Sequence, residues 1–581
     1  MSSIFSYVKA QLKQKFVSNP IKALLSTTSP LVFFIISFIA GKTMKFEKES
    51  DIKIVTTPFT LMVAVVYILY IVFVFNGAYD LITEKKKYRK QHMYAHGFDL
   101  IKFHTSWTII YALLILPSSL VIVGITHFAN VFPGVNVIII FLAFYLFQIL
   151  VVTVSFWLSS YFSNPKYGGL FSTVIQIALT VAFFNTVYFI DDDNFYFSKY
   201  GNASGYAPID QIIFDFKKAV IHNESIGFSN ILTKEHIWTL IHILTIAGSI
   251  LIVLLLAIWS DLFFISRHVK RKSSDRKNQD QYRDIIERSP YTKVKRVSRN
   301  EFNNDEGFFD WSEMRQLFKV KKDKVGVIYE EENENVQQFS FKNGKEIINA
   351  KNLFKLYDTS NELAISNVYL KIYSNEVTII TGAPDAGKST LMKMLYGRES
   401  SSFGKIIING REMGSSKWKY INEDISVAPK EDYVFMEHLS VADNIKLYTS
   451  MCSTQENGIS ILNELNFNGN SSDLIKNLDS AERTKLKIAL ALLKSTKCIF
   501  IEEPTALLNE KDNVCFWNVI NSRKNKKAII ISTSSMYEAL THGDRIVVLK
   551  NGMTQCIGSR DFIKNRLSVD ENKPELDVKV Y

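Results

Sequence analysis

Gly382-Ala383-Pro384-Asp385-Ala386-Gly387-Lys388-Ser389 is a GxxxxGK[ST] run between the β-branched stretch Val377 to Thr381 and the helix-forming stretch Thr390 to Tyr396. Glycines at this spacing let consecutive backbone N–H groups surround phosphate oxygens, and the following helix start adds partial positive charge. Lys388 is the side chain able to reach the β- and γ-phosphates of a nucleotide. Ser389 offers a hydroxyl to Mg2+, a cation that prefers oxygen ligands. An ordinary surface turn would lack the strand before and the helix after. Asp385 is awkward, because its carboxylate is unfavourable beside a tetra-anionic ligand unless it points outward.

The elements that must carry this loop form an α/β domain: after Lys345 short β-branched runs alternate with helical segments, the pattern of a largely parallel sheet. The first half of the 581 residues is different. From Phe103 to Pro165 no Asp, Glu, Lys or Arg occurs, which a soluble helix needing a polar face would rarely sustain. Six uncharged runs are long enough to cross a bilayer, at 23–41, 55–79, 105–126, 135–158, 168–190 and 237–260, with Pro133-Gly134 dividing the third from the fourth.

The net charge of +11 does not indicate nucleic acid, because clusters such as Lys85, Lys86, Lys87, Arg89 and Lys90 flank apolar spans, where lipid headgroups and topology account for them. With the N-terminus inside, the inner flanks through Lys272 carry 15 Lys and Arg and the outer loops 8. Two glycosylation sequons, at Asn202 and Asn223, fall in the long loop predicted outside. All four cysteines lie in the C-terminal half without a CxxC pair, as expected of a reduced cytosolic domain. The expected organisation is a cytoplasmic segment 1–22, a membrane domain 23–265, a charged connector 266–345 with some helix around Trp311 to Phe318, a nucleotide-binding domain 346–561 and a tail 562–581. Such a chain is a multi-pass integral protein of the plasma membrane or an endomembrane, with its N-terminus and its α/β domain in the cytoplasm.

At this point the sequence resembles the ATP-binding-cassette transporters, most closely subfamily A, whose halves run membrane domain first and cassette second. The phosphate loop carries the resemblance, with Lys355-Leu356-Tyr357 before it and Gly404 to Gly410 in the following hairpin. The basic stretch Glu84 to Gly97 and the aromatic end of span four, Phe156 to Phe162, are softer signals. The resemblance implies a six-span membrane domain of the ABC-2, lipid-exporter type followed by a P-loop cassette binding ATP and Mg2+. It makes Tyr357 the candidate for stacking on adenine, with a packed strand aromatic as the equal alternative. The ATP-binding set is then Gly382, Ala383, Pro384, Asp385, Ala386, Gly387, Lys388, Ser389, Thr390 and Tyr357.

By the same resemblance several motifs are eroded. The signature region reads Leu478-Asp479-Ser480-Ala481-Glu482, without the two glycines that let backbone approach an opposing γ-phosphate, and carboxylates at Asp479 and Glu482 are expected to crowd or repel it. Lys430 stands at the glutamine loop and Ser534 at the switch histidine. Glu502 replaces the magnesium-organising Asp, Glu503 takes the catalytic place where a carboxylate polarises attacking water, and Asn509 replaces an aspartate just beyond. One cassette per chain implies a homodimer, or a heterodimer with another half-transporter. Two functions follow: ATP-driven translocation of a lipid or other amphipathic molecule, or a catalytically impaired pseudo-transporter that binds ATP and regulates a partner subunit. An ion channel has no support, since no span carries Asp, Glu, Lys or Arg at its centre.

Overall fold

In the computed structural model the described residues are 2–18, 73–86, 89–128, 132–188, scattered positions between 209 and 219, 224–233, 236–274, 293–296, 325–330, 344–357, 363–413 and 424–567 less 453 and 455. Span one, Asn202, Asn223, the stretch Trp311 to Phe318 and the tail beyond 567 lie outside them. The chain divides into two compact units, residues 1–90 with 99–264 and residues 91–98 with 265–581.

The first unit is helical. Helix α1 (Ser2–Ser18) is followed by a helical stretch at 73–86, by α2 (Arg89–Ala95), which passes into the second unit after Lys90, and by α3 (Leu100–Phe128), α4 (Val137–Ser159), α5 (Pro165–Tyr188) and α6 (Ile237–Ser274), which passes into it after Phe264. Among the described residues, Leu100–Phe128, Val137–Ser159 and Ile237–Phe263 are long and apolar enough to cross a membrane. The turn before α4 holds Gly134 at φ 86, and Asn136 caps the helix by accepting from the Ile138 N–H at 2.9 Å. Hydroxyls in the apolar helices donate to carbonyls of their own helix, as Ser118 does to Ile115 at 2.7 Å and Ser155 to Val152 at 2.6 Å, so hydrocarbon meets few bare donors. Leu244, Leu251, Leu255 and Trp259 leave α6 with an exposed apolar face, which suits lipid. Near the charged end of that helix, Asp261 is buried against Lys90 at 2.5 Å and His104 at 2.7 Å, so the charges are paired where water is scarce.

The second unit is built on two sheets. Strands β1 (Lys293–Arg296), β2 (Val325–Glu330), β3 (Glu346–Leu356), β4 (Leu363–Tyr373) and β5 (Glu376–Gly382) lead into α7 (Lys388–Leu395). Next come β6 (Phe403–Ile408), β7 (Arg411–Glu412), β8 (Ile425–Ala428), α8 (Val441–Cys452), α9 (Gly458–Glu464) and α10 (Ser480–Leu492). The last elements are β9 (Cys498–Glu502), α11 (Glu510–Arg523), β10 (Ala528–Ser532), α12 (Met536–His542), β11 (Arg545–Lys550), β12 (Met553–Gly558) and α13 (Arg560–Leu567). Eight strands run in the order β1-β2-β12-β11-β5-β10-β9-β8, and a four-stranded antiparallel sheet runs β4-β3-β6-β7.

The large sheet is parallel except between β11 and β12. Its central strands are continuous apolar runs, with Val377, Ile379, Ile499, Ile529 and Ile531 fully buried, as expected of strands covered on both faces. Parallel pairing of β5, β10 and β9 brings Gly382, Ser532 and Glu502 to one edge, the carboxyl-terminal edge where open α/β sheets bind ligands. Two strands, β1 and β2, come from the charged connector. Residues 91–98 also group with this unit: the rings of His92 and Tyr433 lie 5.9 Å apart, and those of His96 and Tyr448 5.0 Å. Burial drives both imidazoles towards the neutral form, His96 to about 4.

Candidate functional site: a nucleotide-binding cassette

The loop between β5 and α7 is shaped by two glycines. At Gly382, φ is 149 and an added Cβ would lie 2.2 Å from the Leu549 carbonyl oxygen; at Gly387, φ is 97 and the same atom would lie 2.8 Å from that of Ala364. Ala383, Pro384 and Asp385 are exposed, Asp385 at φ 62, so the awkward carboxylate reaches solvent. Gly387 caps α7 with no side-chain hydrogen bond, and the first N–H groups of the helix are left for an external anion. Lys388 is buried and donates to the carbonyls of Gly382 at 2.8 Å and Ala383 at 2.9 Å. Burial lowers its pKa, against the pull of Glu503 and Asp385. Ser389 and Thr390 are half-buried beside it, and the Tyr357 hydroxyl lies 3.3 Å from Thr390 Oγ1. One face of the Tyr357 ring carries the Lys355 ammonium, 5.0 Å from its centre.

At the end of β9 the two acids part company. Glu502 is buried: one oxygen accepts from the Tyr396 hydroxyl at 2.9 Å, the other from the Lys430 N–H at 3.3 Å, and burial raises its pKa. Glu503 sits at φ 44 with its N–H on the Ser532 carbonyl, and its carboxylate pairs with Lys430 Nζ at 2.6 Å. That hydrogen bond raises the Lys430 pKa and holds the lysine charged. Lys430 lines a cavity with Lys487, Thr484, Glu502, Glu503 and Leu507.

A glycine-shaped anion loop, its lysine and a carboxylate pair therefore share one sheet edge. Residues 3–259 match the family described as ABC-2 family transporter protein, and residues 365–506 match ABC transporter. The chain belongs to the ABC transporters. Its fold is an ABC-2 membrane domain followed by a P-loop cassette. The mouse cholesterol transporter ABCA5 is 27% identical over 524 residues, which cover 87% of this chain and 30% of that protein. Member 6 of the ABC transporter A family of Dictyostelium discoideum is 24% identical, over 85% of this chain and 28% of its own length. Rat phospholipid-transporting ATPase ABCA3 is 28% identical over 38% of this chain and 13% of its own. The chain thus spans about 30% of the length of the curated relatives that it matches over most of its own. A solved ATP-binding subunit of an ABC transporter aligns at 22% identity and a TM-score of 0.35, over 38% of this chain and 93% of that one.

The signature region of this ABC transporter departs from expectation at Glu482. Rather than projecting from the helix tip, Glu482 is buried and pairs with Lys485 at 2.8 Å; Lys485 also meets Asp512 at 2.9 Å, and Asn466 donates to Asp512 at 2.7 Å. Asp479 is exposed, but its carboxylate accepts from the Glu482 N–H at 2.7 Å and so caps α10. Ser480 is exposed, Ala481 half-buried and Leu478 buried. Ser534 is exposed. Asn509 caps α11 by accepting from the Asp512 N–H at 2.9 Å.

Sequence reasoning passed over two residues here. Tyr396, eight residues after Lys388, holds Glu502, and nothing in its spacing announces it. Glu538 is buried and accepts from Thr505 at 2.9 Å and Thr533 at 2.5 Å, tying the segment after Glu503 to the one before Ser534. The Glu538 signal is an acid at the third position of α12, where its backbone N–H meets the capping Ser535.

Proposed function

We propose that this chain is one half of an ABC transporter that moves a lipid or other amphipathic molecule, driven by ATP held between its own cassette and that of a second subunit. The observation that carries the reading is α7 starting behind Gly387 without a side-chain cap, with the Lys388 ammonium held at the carbonyls of Gly382 and Ala383 in the same loop. When a nucleotide arrives, Lys388 exchanges two carbonyls for phosphate oxygens and backbone N–H groups of the loop enclose them. Tyr357 is the adenine contact, Ser389 a hydroxyl beside the phosphates, and Glu503 the carboxylate that polarises attacking water. Lipid as substrate is supported by the relatives named for cholesterol and phospholipid and by the exposed apolar face of α6. The N-terminus and cassette are cytoplasmic in this reading, and Asn202 and Asn223 are glycosylation sites on the outer side.

A second reading, a nucleotide-binding subunit that regulates a partner, has specific observations behind it. Glu503 is engaged by Lys430, and the signature tip is filled by Asp479. Both features slow hydrolysis, because a base in an ion pair is less available to water and a capped tip offers fewer donors to an opposing phosphate. ATP turnover by the purified chain in lipid, alone and with any co-purifying cassette partner, separates the readings when set against Lys388→Ala and Glu503→Gln. Turnover above the Glu503→Gln level, stimulated by a lipid, is the expected result for a pump. Binding through Lys388 with no turnover in either preparation would leave the regulatory subunit as the function.

A further inference from the structure

The carboxylates of this site do not fit a divalent cation. Each oxygen of Glu502 already accepts a hydrogen bond, one from Tyr396 and one from the Lys430 backbone, and the acid is buried. Glu503 faces the Lys430 ammonium at 2.6 Å. A divalent ion drawn to either acid would meet that ammonium, and like charges at short range repel by several kcal/mol even at an effective dielectric of about 20. Lys430 is electrostatically coupled to Glu502 and Glu431 as well as to Glu503, and its charge is felt by Lys388. The positive charge that a cassette needs beside its phosphates is thus already present in a side chain.

The backbone of Lys430 is held at both its N–H and its carbonyl, while its side chain lies largely in solvent with Glu503 as its partner. The N–H is held by Glu502, and the carbonyl accepts from Lys487 at 2.7 Å, which itself pairs with Asp432 at 3.0 Å. The side chain is 62% exposed, on a flexible four-carbon stem whose ammonium is a compact point charge able to leave a carboxylate for a phosphate oxygen. We propose that Lys430 serves as the counter-charge for nucleotide in this cassette, so that the ligand it takes is the metal-free nucleoside triphosphate and binding does not require magnesium. The inference rests on the reading of the phosphate loop as a nucleotide site. Lys388 and Lys430 then approach the phosphates from the loop and from the β8 edge, and Ser389 contributes a hydroxyl hydrogen bond instead of a metal ligand.

The test is titration of the purified full-length chain in lipid nanodiscs with a fluorescent ATP analogue, trinitrophenyl-ATP, in excess magnesium and in excess EDTA. The wild type is expected to bind with dissociation constants that agree within about threefold in the two buffers. Lys430→Gln is expected to bind in magnesium and to weaken by about tenfold or more in EDTA. A wild-type affinity that falls by about tenfold or more in EDTA overturns the proposal and leaves the nucleotide site standing. Equal affinity of Lys430→Gln in both buffers overturns the role of Lys430. Absence of binding by the wild type in either buffer overturns the nucleotide site and the inference together. Loss of the signal in Lys388→Ala in both buffers marks the probe as bound at the loop.

Discussion

Two helices of the cassette begin within reach of chemistry, and they begin in opposite ways. Helix α7 opens behind Gly387, which has no side chain to offer, so the cap makes no side-chain hydrogen bond. Helix α10 opens behind Asp479, whose carboxylate takes the Glu482 N–H, while Glu482 turns inward to Lys485. Both ends carry the same partial positive charge from aligned peptide dipoles. What would suit one of them to an anion is the residue left out at the cap. The second has answered its own dipole with an acid from its own chain.

The contrast can be broken hardest at Lys485. This lysine is 1% exposed between Glu482 and Asp512, so Lys485→Ala strands two buried acids and is expected to cost about 3–5 kcal/mol, read as a lowered midpoint in thermal unfolding of the full chain. An unchanged midpoint would mean that the inner anchoring of this tip is unimportant. At the open tip, Lys388→Ala removes one charged donor from the phosphates. The expected loss is about 1.5–3 kcal/mol of binding, or ~10- to 150-fold in affinity for trinitrophenyl-ATP. Gly387→Ala forces a side chain into the left-handed region and towards the Ala364 carbonyl, for about 1–2 kcal/mol of stability. A smaller effect is expected at the capped tip. Asp479→Ala should cost ~1 kcal/mol and Asp479→Gly only a few tenths. Asp479→Gly also frees the Glu482 N–H, so turnover of the assembled transporter should rise. If it does not, the carboxylate is a cap and nothing more.

The open tip was legible from sequence because its requirements are local: glycine where φ is positive, lysine after the second glycine, an apolar strand before and a helix after. The capped tip was legible only in part. That its glycines are missing is visible in Leu478 to Glu482, but whether an acid at the fifth position points out or in depends on Lys485 one turn along and on Asp512, thirty residues later in another helix. Nothing in the local spacing states that Asp512 will be there. The ion pair of Glu503 with Lys430 is hidden for the same reason, since strands far apart in sequence bring the two together. Strands β1 and β2 were lost in a connector whose charge reads as solvated, although Val325-Gly326-Val327-Ile328-Tyr329 has a strand's composition.

The grouping of residues 91–98 with the cassette has a consequence for how such a protein can be cut and recombined. The boundary between the halves is crossed three times by the polypeptide, so no single breakpoint separates one module from the other. A cassette transplanted by a crossover near Ile265 would arrive without His92 and His96, leaving Tyr433 and Tyr448 to a host segment that never fitted them. Exchange between relatives would have to carry both pieces at once, which ties the inheritance of a short stretch near the N-terminus to that of a domain beginning well over a hundred residues later.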